Sequence, residues 1–246
     1  MAAFNTSVLN TFCTSDFSEA FISALKELFY PRICPCCGDH IQNQQSVICL
    51  SCLIFLPYTN FHQLKINPLH KKFWGRMEIQ HADSLLFMEK CSKTQELMYL
   101  LKYSHRQDIG TFLSEQTIQR YHNHSFPSTI QAIVIVPLHP RKEKQRGYNQ
   151  CHTFAQHLSV SWQVPYLKNA LSRISHSNSQ TGNTRMERWE NVANIFTLAK
   201  KDAIQNKHIL LIDDVLTTGA TLEACGQQIL KLTGTKLSIL TMACKV

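Results

Sequence analysis

One stretch constrains the fold of this chain more than any other: HILLIDDVLTTGATLEAC, from His208 to Cys225. Ile209–Ile212 form a short apolar run that suits a strand buried on both faces of a parallel sheet. Asp213 and Asp214 stand at its carboxyl end. Thr217, Thr218, Gly219, Ala220 and Thr221 then turn directly into a helix predicted over Thr221–Leu232. Ligands of open parallel sheets gather at such strand ends. The turn aims backbone N–H groups and hydroxyls at one point over a helix N-terminus, which makes an anion site. Gly219 has no Cβ, so a phosphate could approach its backbone closely. Two nearby carboxylates would repel a bare anion, so the ligand should also bring hydroxyls or a divalent cation. A ribose 5-phosphate meets both demands. No Gly-Lys-Ser/Thr follows, which excludes a Walker loop. A phosphoryl-receiver domain would have no use for the threonine cradle. The plainer alternative is a strand-to-helix turn with capping threonines.

The rest of the chain fits the same architecture. Apolar runs predict strands at Ser84–Phe87, Ala132–Val136, Ile195–Leu198 and Leu237–Met242 as well as His208–Asp213. Helical periodicity covers Gln95–Tyr103, Ile109–Tyr121 and Gln150–Leu158 between them. Alternating strands and helices predict an α/β fold: a mainly parallel sheet flanked by helices on both faces. An amphipathic helix is expected over Asp16–Phe29, with Phe17, Phe21, Leu25 and Leu28 at helical spacing. We expect a tail and helix over residues 1–30, a cysteine module over 31–58, a connector over 59–82 and the α/β domain over 83–246.

Cys34 and Cys37 are two residues apart, as are Cys49 and Cys52. Two such pairs in close succession can direct four thiolates at one tetrahedral zinc ion, and a closed four-thiolate site folds a module without catalysing anything. Gly38 supports the tight turn this needs. Cys36 lies inside the first pair and competes with Cys34 as a ligand. A redox role for the CxxC pairs is the weaker alternative.

Composition narrows the setting. The 246 residues are 44% hydrophobic and 17% charged, a globular balance, and no apolar run approaches a membrane span. No secretory signal is read at the start, so no membrane insertion and a cytoplasmic location with reduced thiols are expected. The formal net charge of +8 points to an anionic partner or to a merely basic surface.

Three further segments carry a resemblance to a known family. They are ELMYLLKY, ending in Lys102 and Tyr103; VPLHPRKEKQRGYNQ, from Val136 to Gln150; and SQTGNTRMERWENVANIF, from Ser179 to Phe196. The acid–threonine loop resembles the phosphoribosyl pyrophosphate (PRPP) loop of type I phosphoribosyltransferases. With the cysteine pairs, the chain from about Pro31 onward resembles the competence protein F (ComF) family. The Pro-Leu-His-Pro and Arg-Gly-Tyr-Asn-Gln segment narrows the match to that family. The resemblance implies a type I phosphoribosyltransferase-like fold with an N-terminal zinc-ribbon module. It also implies PRPP on Asp213, Asp214 and Thr217–Thr221, with magnesium. Pro137, Leu138 and His139 would hold pyrophosphate, and Gln180 and Arg188 would reach in from a flexible catalytic loop. The basic run Arg141, Lys142, Lys144 and Arg146 could by its charge neutralise pyrophosphate or bind a nucleic-acid backbone, or be only a solvated helix start. The family usually has Thr where this chain has Ser177.

Two functions compete on this reading. The first is a PRPP-binding protein of DNA uptake and natural transformation, handling single-stranded DNA with a helicase-type partner. The second is a magnesium-dependent phosphoribosyltransferase of nucleotide metabolism, with Asp213, Asp214 and Arg188 in the chemistry and an unnamed acceptor. Tyr148 and Trp74, beside Arg146 and Arg76, are either base-stacking or packing residues.

Overall fold

A computed structural model describes residues 31–43, 46–173 and 195–245. It divides into two compact units, Met1–Phe55 and Leu56–Val246. The helix expected over Asp16–Phe29 lies outside the described residues, as do Gln180, Arg188 and Ser177.

In the first unit the Cys34–Cys37 pair forms a knuckle. Cys34 N–H donates to the Asp39 carbonyl at 2.7 Å, and Gly38 N–H donates to the Cys34 carbonyl at 2.9 Å. Gly38 sits at φ +81°, the left-handed region that favours glycine. Ile33 and His40 close the turn by an antiparallel bridge. The second pair opens a short helix, α1 (Leu50–Ile54), whose N-cap is Cys49.

The second unit is built on four parallel strands: β1 (His81–Phe87), β2 (Ala132–Ile135), β5 (His208–Leu216) and β6 (Lys236–Cys244), in the spatial order β1-β6-β5-β2. Tyr166 bridges Ile133 in parallel sense beyond β2. The sheet is mainly parallel, as the sequence predicts. The run at Ile195–Leu198 departs from that expectation. Its Phe196–Leu198 segment, β4, pairs antiparallel with β3 (Leu171–Arg173) in a separate two-stranded sheet.

Ile209–Ile212 are fully buried because β5 lies inside the sheet and both faces are covered. Ile209 and Leu211 share a core with Leu222, Cys225 and Ile229 of α9 (Ala220–Leu230). The alternate residues point to the other face. There α4 (Gln107–Tyr121) and α7 (Cys151–Trp162) pack together, and α7 covers β2 and β5. Gly110 lets them close: a Cβ there would come within 3.3 Å of Thr153 Cβ. Before β1, a 3-10 turn (Phe61–Gln63) leads to α2 (Pro68–Phe73). Asn67 starts α2, its Oδ1 accepting from the N–H groups of Leu69 and His70, with Pro68 in the first turn. Smaller pieces complete the chain: α3 (Lys93–Tyr103), α5 (Phe126–Thr129), α6 (Pro140–Arg146) and α8 (Lys201–Ile204). Among the described residues, no helix is long and apolar enough to cross a membrane.

Candidate functional site

The carboxyl ends of β2 and β5 form one edge, because the strands are parallel neighbours with Ile135 opposite Ile212. β2 ends at Ile135, whereas β5 runs on to Leu216 along β6, so Asp213 and Asp214 lie within β5 and not beyond its end as the sequence predicts, beside the 137–139 turn that leaves β2. Asp213 is half-buried, and its Oδ1 accepts from Asp214 N–H at 2.8 Å. Burial, and next to it the Asp214 charge, push the Asp213 carboxyl up to about 8. Asp214 is answered by two groups: Lys102 Nζ lies 2.8 Å from Oδ2, and the Gln150 amide donates to the same oxygen. Lys102 arrives from the last turn of α3 and Gln150 from the start of α7.

Arg146 is tied to this network one step out. It donates to Gln150 Oε1 at 2.9 Å and to Tyr103 Oη at 3.3 Å. Each residue of the Arg-Gly-Tyr-Asn-Gln run has a distinct physical role. Gly147 caps α6 at φ +76°, and Tyr148 Oη donates to the Leu101 carbonyl. Asn149 donates to the Val136 carbonyl at 3.0 Å and accepts from Cys151 N–H, which fixes the end of β2 against the start of α7. Three segments distant in sequence thus meet around one carboxylate.

The threonine loop is held from behind. Lys72 Nζ donates to the Thr217 carbonyl at 2.9 Å, and Arg76 donates to the Thr218 carbonyl at 3.1 Å and pairs with Glu223. A peptide unit carries its C=O and N–H on opposite sides. Pulling these two carbonyls toward Lys72 and Arg76 turns the N–H groups of Thr218 and Gly219 the other way. Thr217, Thr218, Ala220 and Thr221 are exposed, and the Thr218 hydroxyl accepts from Ala220 N–H at 3.4 Å. Gly219 begins α9 at φ +80°, and a Cβ there would sit 3.0 Å from the buried Phe73 ring. Gly219→Ala should therefore cost about 2 kcal/mol of stability, from strain plus the clash. Denaturant unfolding checks this, and an unchanged midpoint would contradict it.

The other predicted site residues among those described, Pro137, Leu138 and His139, lie elsewhere along the same edge. Pro137 and Leu138 line a cavity of about 440 Å³ with Tyr148, His152, Tyr166 and Arg173. His139 caps α6, its Nδ1 accepting from Arg141 N–H at 3.2 Å. The cavity is not lined by the threonine loop. Lys102, Gln150, Lys72 and Arg76 were not among the predicted site residues. Lys102 stands in the ELMYLLKY segment, whose helical spacing marks its buried face and not its lysine. Lys72 and Arg76 belong to a stretch read as a connector.

In the first unit, the sulfurs of Cys34, Cys37, Cys49 and Cys52 all lie within 4.8 Å of one another. Ligands of a tetrahedral zinc stand about 2.3 Å from the ion, so these four could bind one with small shifts. The set contains Cys34, and Cys36 is not part of it. Burial works against a charged Cys34, but the N–H groups of Cys49, Cys36 and Cys37 outweigh it and bring the thiol down to about 6. In the same cluster the Cys37 thiol is pushed up by the neighbouring Asp39 and cysteine sulfurs and the Cys52 thiol by burial, so the four do not share one direction.

No family model matches the chain. The chain is 34% identical over 122 residues to competence protein F of Haemophilus influenzae, covering 49% of this chain and 52% of that protein. It is 30% identical over 138 residues to DNA utilization protein YhgH of Escherichia coli, covering 55% and 60%. With competence protein ComFC of Bacillus subtilis the identity is 28% over 106 residues, covering 43% and 41%. The chain thus spans about half the length of the curated relatives it matches. Among solved structures it is similar to adenine phosphoribosyltransferases from Leishmania tarentolae and Trypanosoma brucei. The first has a TM-score of 0.37 at 14% identity, covering 65% of this chain and 90% of that one. The second has 0.33 at 13%, covering 72% and 79%. The sequence matches support placing the chain in the ComF family.

Proposed function

We propose that the carboxyl edge of β2 and β5 binds PRPP, or a related ribose phosphate, and that the protein uses this site in DNA uptake. The observation that carries the reading is the unequal treatment of the two carboxylates. Lys102 and Gln150 satisfy Asp214, whereas half-buried Asp213 has no ion pair among the described residues. A ligand that brings hydroxyls would supply what Asp213 lacks. The exposed threonines and the forward-facing N–H groups of Thr218 and Gly219 would take its phosphate, helped by the N-terminus of α9. Pro137, Leu138 and His139 would flank the pyrophosphate, and Arg146 would neutralise part of its charge. Hard carboxylate oxygens also fit magnesium, which when bound with PRPP would supply charge neutralisation between pyrophosphate and ribose. Gln180 and Arg188 remain proposed contacts from residues 174–194.

The DNA-uptake role rests on the names of the curated relatives, competence protein F and DNA utilization protein, and on the net charge of +8. Single-stranded DNA and a helicase-type protein are the proposed partners, in the cytoplasm. The second reading is turnover: transfer of ribose 5-phosphate from PRPP to an acceptor, with release of pyrophosphate. The same acid pair favours it, since such chemistry needs positioning and charge stabilisation more than a nucleophile. For the cysteine set we propose one structural zinc.

Thermal unfolding tests the ligand. PRPP with magnesium, at a hundred times its dissociation constant, should stabilise the fold by about 2.7 kcal/mol. Ribose 5-phosphate or pyrophosphate alone should do less. No shift with PRPP at millimolar concentration would overturn the reading.

A further inference from the structure

We propose that Tyr99 and Tyr103 form a stacking platform for an unpaired nucleobase beside the Asp213–Asp214 site. On α3 the inward residues Leu97, Met98 and Leu101 are buried. Tyr99 and Tyr103, four residues apart on the outward face, each keep 55% of their surface exposed. Their ring centroids lie 5.1 Å apart at 45°. The guanidinium of Arg146 stands 5.0 Å from the Tyr103 ring and donates to its hydroxyl. Lys102, between the two tyrosines in sequence, pairs with Asp214. The platform is thus fixed to the acid pair by two routes, Lys102 directly and Arg146 through Gln150.

The chemistry of this patch selects its occupant. Two exposed rings offer π-faces of about the size of one base, and the cations beside them suit the phosphate that accompanies it. A stable protein interface needs a far broader apolar area, and the outward face of α3 carries no other exposed large apolar side chain among the described residues. Bases inside a duplex have both faces stacked already, which leaves the unpaired base as the match. Its sources are a single strand or a free base, the latter as acceptor for the ribose. The platform adds this ring to the ribose-phosphate reading and does not depend on it.

The test uses the full chain, a labelled short oligo(dT), an abasic strand of equal length, and free adenine and thymine as competitors, read by fluorescence anisotropy. Tyr99→Ala and Tyr103→Ala should each weaken oligo(dT) binding about tenfold, the order of one lost stack, without changing its salt dependence. Tyr103→Phe should bind as wild type does. The abasic strand should bind more weakly and be indifferent to Tyr99→Ala. Displacement of oligo(dT) by a free base assigns the platform to small molecules, and displacement only by another strand assigns it to single strands. Equal oligo(dT) affinity of wild type and Tyr99→Ala, an equal loss on the abasic strand, or no probe bound by wild type overturns the proposal. PRPP binding measured in Tyr99→Ala should be unchanged. Its absence from wild type, with oligo(dT) binding and tyrosine dependence intact, would sink the ribose-phosphate reading alone.

Discussion

Treatment with a strong zinc chelator should unfold the residues around Cys34–Cys52 and leave the sheet of Leu56–Val246 intact. Among the described residues of the first unit, only Cys34, Ile41, Ile48 and Cys52 are buried hydrophobics. A core of that size cannot offset the entropy of ordering the chain. Four sulfurs within 4.8 Å of one another provide the alternative: binding one metal ion becomes the folding energy. Structural zinc is worth about 10 kcal/mol or more in such modules at neutral pH, far above any single side-chain contact here. Amide hydrogen exchange gives the readout. Protection at residues 34–55 should vanish on chelation, while Ile209–Ile212 and Ile239–Met242 stay protected. Cys49→Ser should have the same effect without chelator. Cys36→Ser should leave metal content at one zinc per chain. Full protection of the module in metal-free protein would refute the assignment.

The second large effect concerns Asp213, whose replacement should stabilise the fold while removing its ligand. The unfolded carboxyl titrates near 4, and burial beside Asp214 raises the folded one to about 8. A raised carboxyl pKa means that the folded state holds its proton longer than the unfolded state. Its contribution is intact below pH 4 and is lost as the pH rises toward 8. Asp213→Asn removes that loss, since an amide keeps the acceptor for Asp214 N–H and carries no charge. The gain at pH 8 should be roughly 2 to 4 kcal/mol, and the fall in stability between pH 4 and pH 8 should become shallower. Denaturant unfolding across that range checks it. Loss of stability on substitution, or an unchanged pH slope, would contradict the placement of this carboxyl. A site residue that destabilises its own fold is what a ligand-dependent function would retain.

How far the sequence revealed all this depended on the range of the interactions. Ile209–Ile212 was legible as a strand because a doubly covered strand is apolar throughout. The long helices α3, α4, α7 and α9 were legible because each buries one face. Helix α2 leaves little trace in the sequence: its six residues include His70, Lys71 and Lys72, and only Asn67-Pro68 marks its start. The support of the threonine loop is equally hard to read, since Lys72 and Arg76 act on carbonyls of Thr217 and Thr218 that lie 145 and 142 residues away. Strand β3 escaped because Leu171–Arg173 is too short to show a pattern, which put its partner β4 in the wrong sheet. The acid pair and loop stood in one contiguous motif and needed no tertiary knowledge. Lys102 and Gln150 reach Asp214 only after the sheet and two helices have formed, so no local spacing could link them.

Calorimetric titration of PRPP with magnesium into wild-type protein and into Asp213→Asn/Asp214→Asn tests the central claim most directly. We expect saturable one-to-one binding to wild type. The double variant, folded and with higher stability at pH 8 than a variant that keeps Asp213, should bind at least a hundredfold more weakly. No heat of binding in wild type, or equal affinity in the two proteins, would mean that the acid pair and its threonine loop do not hold a ribose phosphate.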